Sequence, residues 1–294
     1  MAAVSKRSAW WLAVRPATLT ASAAPVLVGT AAAWADGAFA AGPAVAALLG
    51  ASLLQIGANF ANDVFDFERG ADNADRLGPP RATQKGLITP AEMKRAMWLV
   101  FAAAAVTGLY LTYVSGWPLL ALGLCSIAAA YLYTGGPQPY GYIGLGDLAV
   151  FVFFGLGAVV GTYFAQARTI AWLPVVAAVS IGALATAILV VNNLRDIGTD
   201  ARAGKLTLAV RIGDGPTRVY YFALLAIAYL VPVFLWWRGM AHAWVLLPWL
   251  TLPLAFRLAA RMRYERGLAL NACLVQTARL EAVFGILFAL GLAL

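Results

Sequence analysis

Charged residues divide this chain into long apolar stretches. Uncharged runs occupy 16–35, 37–62, 96–146, 148–167, 169–194, 219–237, 239–256 and 282–294. A bilayer-crossing helix needs about 20 mostly apolar residues. The 96–146 run holds two spans, split at Ser115-Gly116-Trp117-Pro118, and the last run extends back through Arg279 and Glu281 to about Gly267. The pattern predicts nine membrane helices in a single domain, 1–294. Backbone groups in lipid must be satisfied within their own segment, and these lengths suit helices rather than short barrel strands. The apolar run after Lys6 and Arg7 meets Arg15-Pro16 and continues to Trp34, so it reads as a retained first span rather than a cleaved leader.

Composition supports this and excludes the alternatives. With 62% hydrophobic and 12% charged residues, the chain has too little polar surface for a soluble domain. Its two cysteines, Cys125 and Cys273, lie inside apolar runs and do not make a disulfide framework. The formal net charge of +8 suggests nucleic acid until its placement is considered. If the N-terminus is cytoplasmic, 17 of the 21 Lys and Arg fall in cytoplasmic segments and only Arg168 and Arg238 fall outside. That is the asymmetry of membrane topology. The C-terminus is then outside, and no nucleic-acid partner is implied.

Carboxylates gather at two inner helix ends. Asn59, Asn62, Asp63 and Asp66 recur at i, i+3, i+4 and i+7, one stripe of a helix. Asn192, Asp196 and Asp200 recur at i, i+4 and i+8, with Asn193 and Arg195 between them. All-oxygen faces of this kind suit Mg²⁺, which is typically held by one or two carboxylates together with substrate phosphate oxygens. Arg76, Arg81, Lys85, Arg195 and Lys205 flank the stripes and complete a cradle for a metal-bridged diphosphate. An apolar cavity beside it would take a hydrocarbon tail, which together describes a polyprenyl diphosphate. The rival reading, a cation-coupled transporter, expects its ionisable groups near the bilayer midplane, whereas these stripes end at the inner edge.

These residues resemble the UbiA superfamily of intramembrane prenyltransferases. The resemblance is carried by Asn62-Asp63-x-x-Asp66 after the second helix, Asp196-x-x-x-Asp200 after the sixth, Arg15-Pro16-Ala17-Thr18-Leu19 and the Gly70-x-Asp72-x-x-Asp75-Arg76 loop. Tyr133-Thr134-Gly135-Gly136-Pro137 through Asp147, and Gly204-Lys205-x-Thr207, add to it. The broader first motif would place a third Asp at position 70, which is Gly70 here; Asp72 follows two residues later and either meets metal or orders the loop. The resemblance implies an all-α membrane bundle with a central cavity opening near the cytoplasmic side of the cell (inner) membrane. It also implies an Mg²⁺-dependent aromatic prenyltransferase, with Asp63, Asp66, Asp196 and Asp200 as metal ligands. The branch it is most similar to uses 1,4-dihydroxy-2-naphthoate and releases CO₂; sister branches use 4-hydroxybenzoate, homogentisate or a porphyrinoid. Oligomeric state is left open.

Other residues carry narrower expectations. Arg15 either snorkels or pairs with the acceptor's carboxylate. Tyr140 either hydrogen-bonds diphosphate or anchors at the interface. Phe60, Phe65 and Tyr140 are candidates to stabilise an allylic cation, although packing is the plainer role for the phenylalanines. Asp147 orients a loop partner or a cation. Arg279 and Glu281, at i and i+2, do not face each other, and His242 lies on the outer side without a role.

Overall fold

The computed structural model describes residues 5–73 and 76–294, so Asp75 lies outside the described residues. The described residues form helices and turns without strands. The first span is broken: α1 (Lys6–Val14) ends at Arg15, a 3₁₀ turn covers Pro16–Thr18, and α2 runs Leu19–Ala35. Proline disfavours helical backbone at the residue before it, and Arg15 instead adopts the left-handed region at φ 52°. α3 (Ala41–Glu68) follows, then α4 (Pro90–Ser115). The start of α4 is locally encoded: Thr89 caps it, Glu92 completes a reciprocal capping box, and Pro90 takes the first turn.

Among the described residues, eight helical segments are long and apolar enough to cross a membrane, which corrects the expected nine. The segment after the Ser115–Pro118 break gives α5 (Pro118–Leu132), only 15 residues, or about 22 Å at the helical rise. The physical reason lies in Gly135-Gly136-Pro137 and Pro139: Gly136 takes φ 75°, and prolines cannot continue the ladder. The chain resumes as α6 (Gly146–Val150), passes through a π-helical stretch at Phe151–Gly157 and continues as α7 (Ala158–Ala167). Beyond these lie α8 (Trp172–Arg202), α9 (Leu208–Ile212), α10 (Asp214–Trp237), α11 (Leu252–Tyr264, preceded by a 3₁₀ stretch) and α12 (Leu270–Ala293).

α8 is the axis of the bundle, with Ile181, Leu184 and Val191 fully buried. Small residues let backbones meet where lipid supplies no hydrophobic drive. Gly155 lies against Gly182, and Gly285 against Ala24. Outward faces are apolar too: Leu99, Val106, Leu230 and Val275 are all exposed, as a lipid-facing surface requires. Between α2, α3, α4, α5 and the α6–α7 segment lies a cavity of about 440 Å³, walled by apolar side chains such as Leu54, Leu122, Ile127, Phe153 and Phe154.

Candidate active site

The last three turns of α3 fan their polar side chains in separate directions. Asn59 Nδ2 donates to the Val14 carbonyl and to Thr18 Oγ1, both at 2.9 Å, and so ties down the broken first span. Asn62 Oδ1 accepts from Thr134 Oγ1 at 3.0 Å while the residue lines the apolar cavity. Asp63 accepts the backbone N–H groups of Ala82 and Thr83 at 3.1 and 2.9 Å, one on each carboxylate oxygen. The expected metal ligand Asp63 is therefore a bracket for the 76–88 loop in this structure. Asp66 alone of the four turns into a second, polar pocket.

That pocket, about 20 Å³, is shared between the ends of α3 and α8. Asp66, Asp72, Arg76 and Arg81 line it from one side, and Asn192, Asp196, Asp200 and Lys205 from the other. Asp66 accepts from Tyr142 Oη at 2.8 Å and lies 3.6 Å from Arg81 and 3.8 Å from Lys205. Asp72 pairs with Arg76 and, at 3.0 Å, with Arg81. Burial pushes its carboxyl up to about 6 even against the pull of Arg76. Burial alone would lower the Lys205 ammonium, but Asp66 and Asp200 outweigh it and raise Lys205 above its usual value. The pocket therefore holds a fixed cation between two carboxylate-bearing helix ends.

Not every expected residue arrives there. Arg195 is turned into the protein: Nε meets Asp196 Oδ1, Nη1 meets Asn271 Oδ1 and Nη2 meets Asn192 Oδ1, each at 2.8 Å. It fixes Asp196 and Asn192 rather than facing the pocket. Asn193 is buried in α8 outside the pocket, and Lys85 is exposed. With Asp63 holding the Ala82 and Thr83 amides, the turn directs Arg81 into the pocket and leaves Lys85 exposed. Tyr140 lines the cavity but donates its hydroxyl to the Ala129 carbonyl at 2.7 Å. Arg15 keeps a buried Nη2 without a hydrogen-bond partner. Phe60 packs edge-on against Trp10, and Phe65 against Tyr131, so both phenylalanines serve the core.

Two participants were not singled out as site residues from the sequence, although Tyr142 lies in the 133–147 segment that carries the resemblance. Tyr142 and Thr199 sit in the site, yet neither follows from helix periodicity alone, because Tyr142 reaches Asp66 across a loop. Arg279 is exposed and Glu281 fully buried, as their spacing requires. His242 precedes the 3₁₀ stretch at Ala243–Thr251, away from the pocket.

The donor set fits a hard divalent cation. Carboxylates of Asp66, Asp196 and Asp200, with the Asn192 amide and Thr199 hydroxyl, supply only oxygen. Asp72 Oδ2 is buried and meets Arg81 Nε at 3.0 Å as an ion pair without hydrogen-bond alignment. Among the described residues no three acidic, His or Cys side chains already stand at ligating distances, since Lys205, Arg81 and Arg195 occupy the carboxylates.

A membrane bundle with an apolar cavity beside a charged pocket defines an enzyme class that handles an anionic head on a hydrocarbon tail. Residues 22–279 match the UbiA prenyltransferase family, and the chain belongs to it. It is 47% identical over 259 residues to the 1,4-dihydroxy-2-naphthoate octaprenyltransferase of Mycobacterium tuberculosis, covering 88% of this chain and 87% of that one. It is 42% identical over 299 residues to the enzyme of the same name from Escherichia coli, covering 99% and 97%. The fold matches a UbiA homolog from Archaeoglobus fulgidus bound to DMAPP and Mg²⁺, at TM-score 0.65 and 17% identity, over 97% of this chain and 98% of that one.

Proposed function

We propose that this enzyme transfers a polyprenyl group from its diphosphate to 1,4-dihydroxy-2-naphthoate, releasing diphosphate and CO₂ and yielding demethylmenaquinol. The observation that carries the reading is Lys205 standing between Asp66 and Asp200 at the junction of α3 and α8. The diphosphate lies against Lys205, Arg81 and Arg76, and the tail lies in the apolar cavity. Asp66, Asp196 and Asp200 would hold Mg²⁺, which neutralises charge building on the leaving diphosphate. Lys205 and Arg81 add to that stabilisation most strongly in the transition state, where the leaving group's charge is greatest. The cavity keeps water from the allylic fragment, and the free Nη2 of Arg15 is proposed to meet the acceptor's carboxylate.

The clustering of Lys and Arg supports a cytoplasmic polar pocket in the cell membrane, with the C-terminus outside. The test is to incubate purified enzyme with Mg²⁺, a labelled prenyl diphosphate and a panel of aromatic acids, and to identify the product by mass. A decarboxylated prenyl naphthoquinol is expected. Product formed only from a single-ring acid would assign a sister acceptor instead.

A further inference from the structure

The hydroxyls of the loop that closes the cavity are mostly spoken for. Thr134 donates to Asn62, Tyr140 to Ala129 and Tyr142 to Asp66. Tyr133 lines the cavity between Asn62 and Tyr140, and its hydroxyl makes no hydrogen bond among the described residues. Its ring is wedged between two glycines. A Cβ on Gly141 would come within 3.2 Å of Cε2 and Cζ, and one on Gly146 within 3.2 Å of Cε2 and Oη. The hydroxyl is thereby held beside Gly146, the residue before Asp147.

Asp147 is 5% exposed, and its Oδ2 has no hydrogen-bond partner. Asp147 follows directly on Gly146, the glycine beside which the Tyr133 hydroxyl lies, so the two groups are neighbours without a direct hydrogen bond. A buried carboxylate oxygen without a partner is costly, and neither Asp147 nor the Tyr133 hydroxyl is used by the diphosphate site.

We propose that Tyr133 is the group that meets the acceptor's ring hydroxyl, and that Asp147, acting through Tyr133, accepts that proton during prenyl transfer and returns it afterwards. The proposal rests on the reading of a hydroxynaphthoate acceptor. In the first step the O–H bond breaks and its proton passes to the Tyr133 oxygen as the tyrosine proton moves to Asp147 through one bridging water, since the two side chains do not hydrogen-bond directly. The ring carbon bearing the carboxylate bonds to the prenyl carbon, the C–O bond to diphosphate breaks, and diphosphate leaves with that electron pair. The ring oxygen becomes a ketone next to a carbon carrying the carboxylate, a β-keto acid. In the second step CO₂ departs, its bonding pair restores the aromatic ring as a ring oxyanion, and the stored proton returns to that oxygen. Atoms and charge balance without a further reactant.

The test compares wild type with Tyr133→Phe, Asp147→Asn and Asp147→Glu in full-length enzyme, using Mg²⁺, prenyl diphosphate and 1,4-dihydroxy-2-naphthoate. Tyr133→Phe removes only an unbonded hydroxyl, so its ring stays wedged between the glycines. The expected result is a kcat loss of about 100-fold for Tyr133→Phe and Asp147→Asn. KM for prenyl diphosphate should stay within about twofold, and Asp147→Glu should recover part of kcat, since carboxylate chemistry is restored. Unchanged kcat in Tyr133→Phe would overturn the proposal, as would Asp147→Glu failing alongside Asp147→Asn with prenyl diphosphate KM raised in both. A wild-type enzyme that leaves dihydroxynaphthoate unprenylated would overturn the acceptor reading itself, a separate result.

Discussion

Lys205 Nζ lies 3.8 Å from Asp66 Oδ2, joining the loop after α8 to the end of α3. These two elements are remote in sequence, and Lys205 lines the same small pocket as Asp196 and Asp200. In the proposed mechanism this lysine is the fixed positive charge against which a diphosphate docks. Lys205→Ala should raise KM for prenyl diphosphate about tenfold, the size of one lost charge-assisted hydrogen bond. KM for the aromatic acceptor should stay within about twofold, and titrating each substrate separately checks this.

Asp63 and Asp66 are one turn apart on α3 yet do different work. Asp63 binds two loop amides, whereas Asp66 faces the pocket. Asp63→Asn keeps one acceptor oxygen and turns an NH₂ toward the other amide, a cost of about 1–3 kcal/mol. Thermal unfolding in detergent should show a lowered midpoint for Asp63→Asn. Asp66→Asn should lose turnover at a near-normal midpoint.

Gly155 and Gly182 meet at the π-helical stretch, where a Cβ on Gly155 would fall 2.7 Å from Gly182 Cα. Backbone cannot move aside as a side chain does. Gly155→Ala should destabilise the bundle by about 1–3 kcal/mol, read as a lower unfolding midpoint. An unchanged midpoint would mean that α8 and this stretch are less closely packed.

Lys85 is exposed on the polar-pocket side of the bundle. With Cys125 and Cys273 replaced by Ser, Lys85→Cys should react with a membrane-impermeant maleimide in inside-out vesicles and resist it in right-side-out ones. The reverse pattern would invert the proposed topology.

Much of the scaffold was legible along the chain because lipid imposes a simple rule: charges must end an apolar run. The turn at Ser115–Pro118 was read as such, whereas the break at Arg15-Pro16 inside the expected first span and the capped start at Thr89 follow from local backbone chemistry that the charge pattern does not report. The shortness of α5 was also written in Gly135-Gly136-Pro137, but its uncharged continuation masked it. In the site, the spacing of Asn59, Asn62, Asp63 and Asp66 placed them on one helix side without saying what each meets. That depends on segments arriving from elsewhere: Thr18 for Asn59, Thr134 for Asn62, Ala82 and Thr83 for Asp63, and Tyr142 for Asp66. Arg195 looked like part of the cradle because its charge is visible in sequence, but its capture by Asn271 of α12 is not.

The central claim is that the ends of α3 and α8 grip one diphosphate together. The direct measurement is calorimetric binding of a prenyl diphosphate with Mg²⁺ to wild type, Asp66→Asn, Asp200→Asn and the double variant. Each single change should weaken binding about tenfold or more, and the double should lose less than the two losses combined, with a coupling energy of about 1 kcal/mol or greater. Strictly additive losses, or undiminished binding in either single variant, would contradict a shared grip.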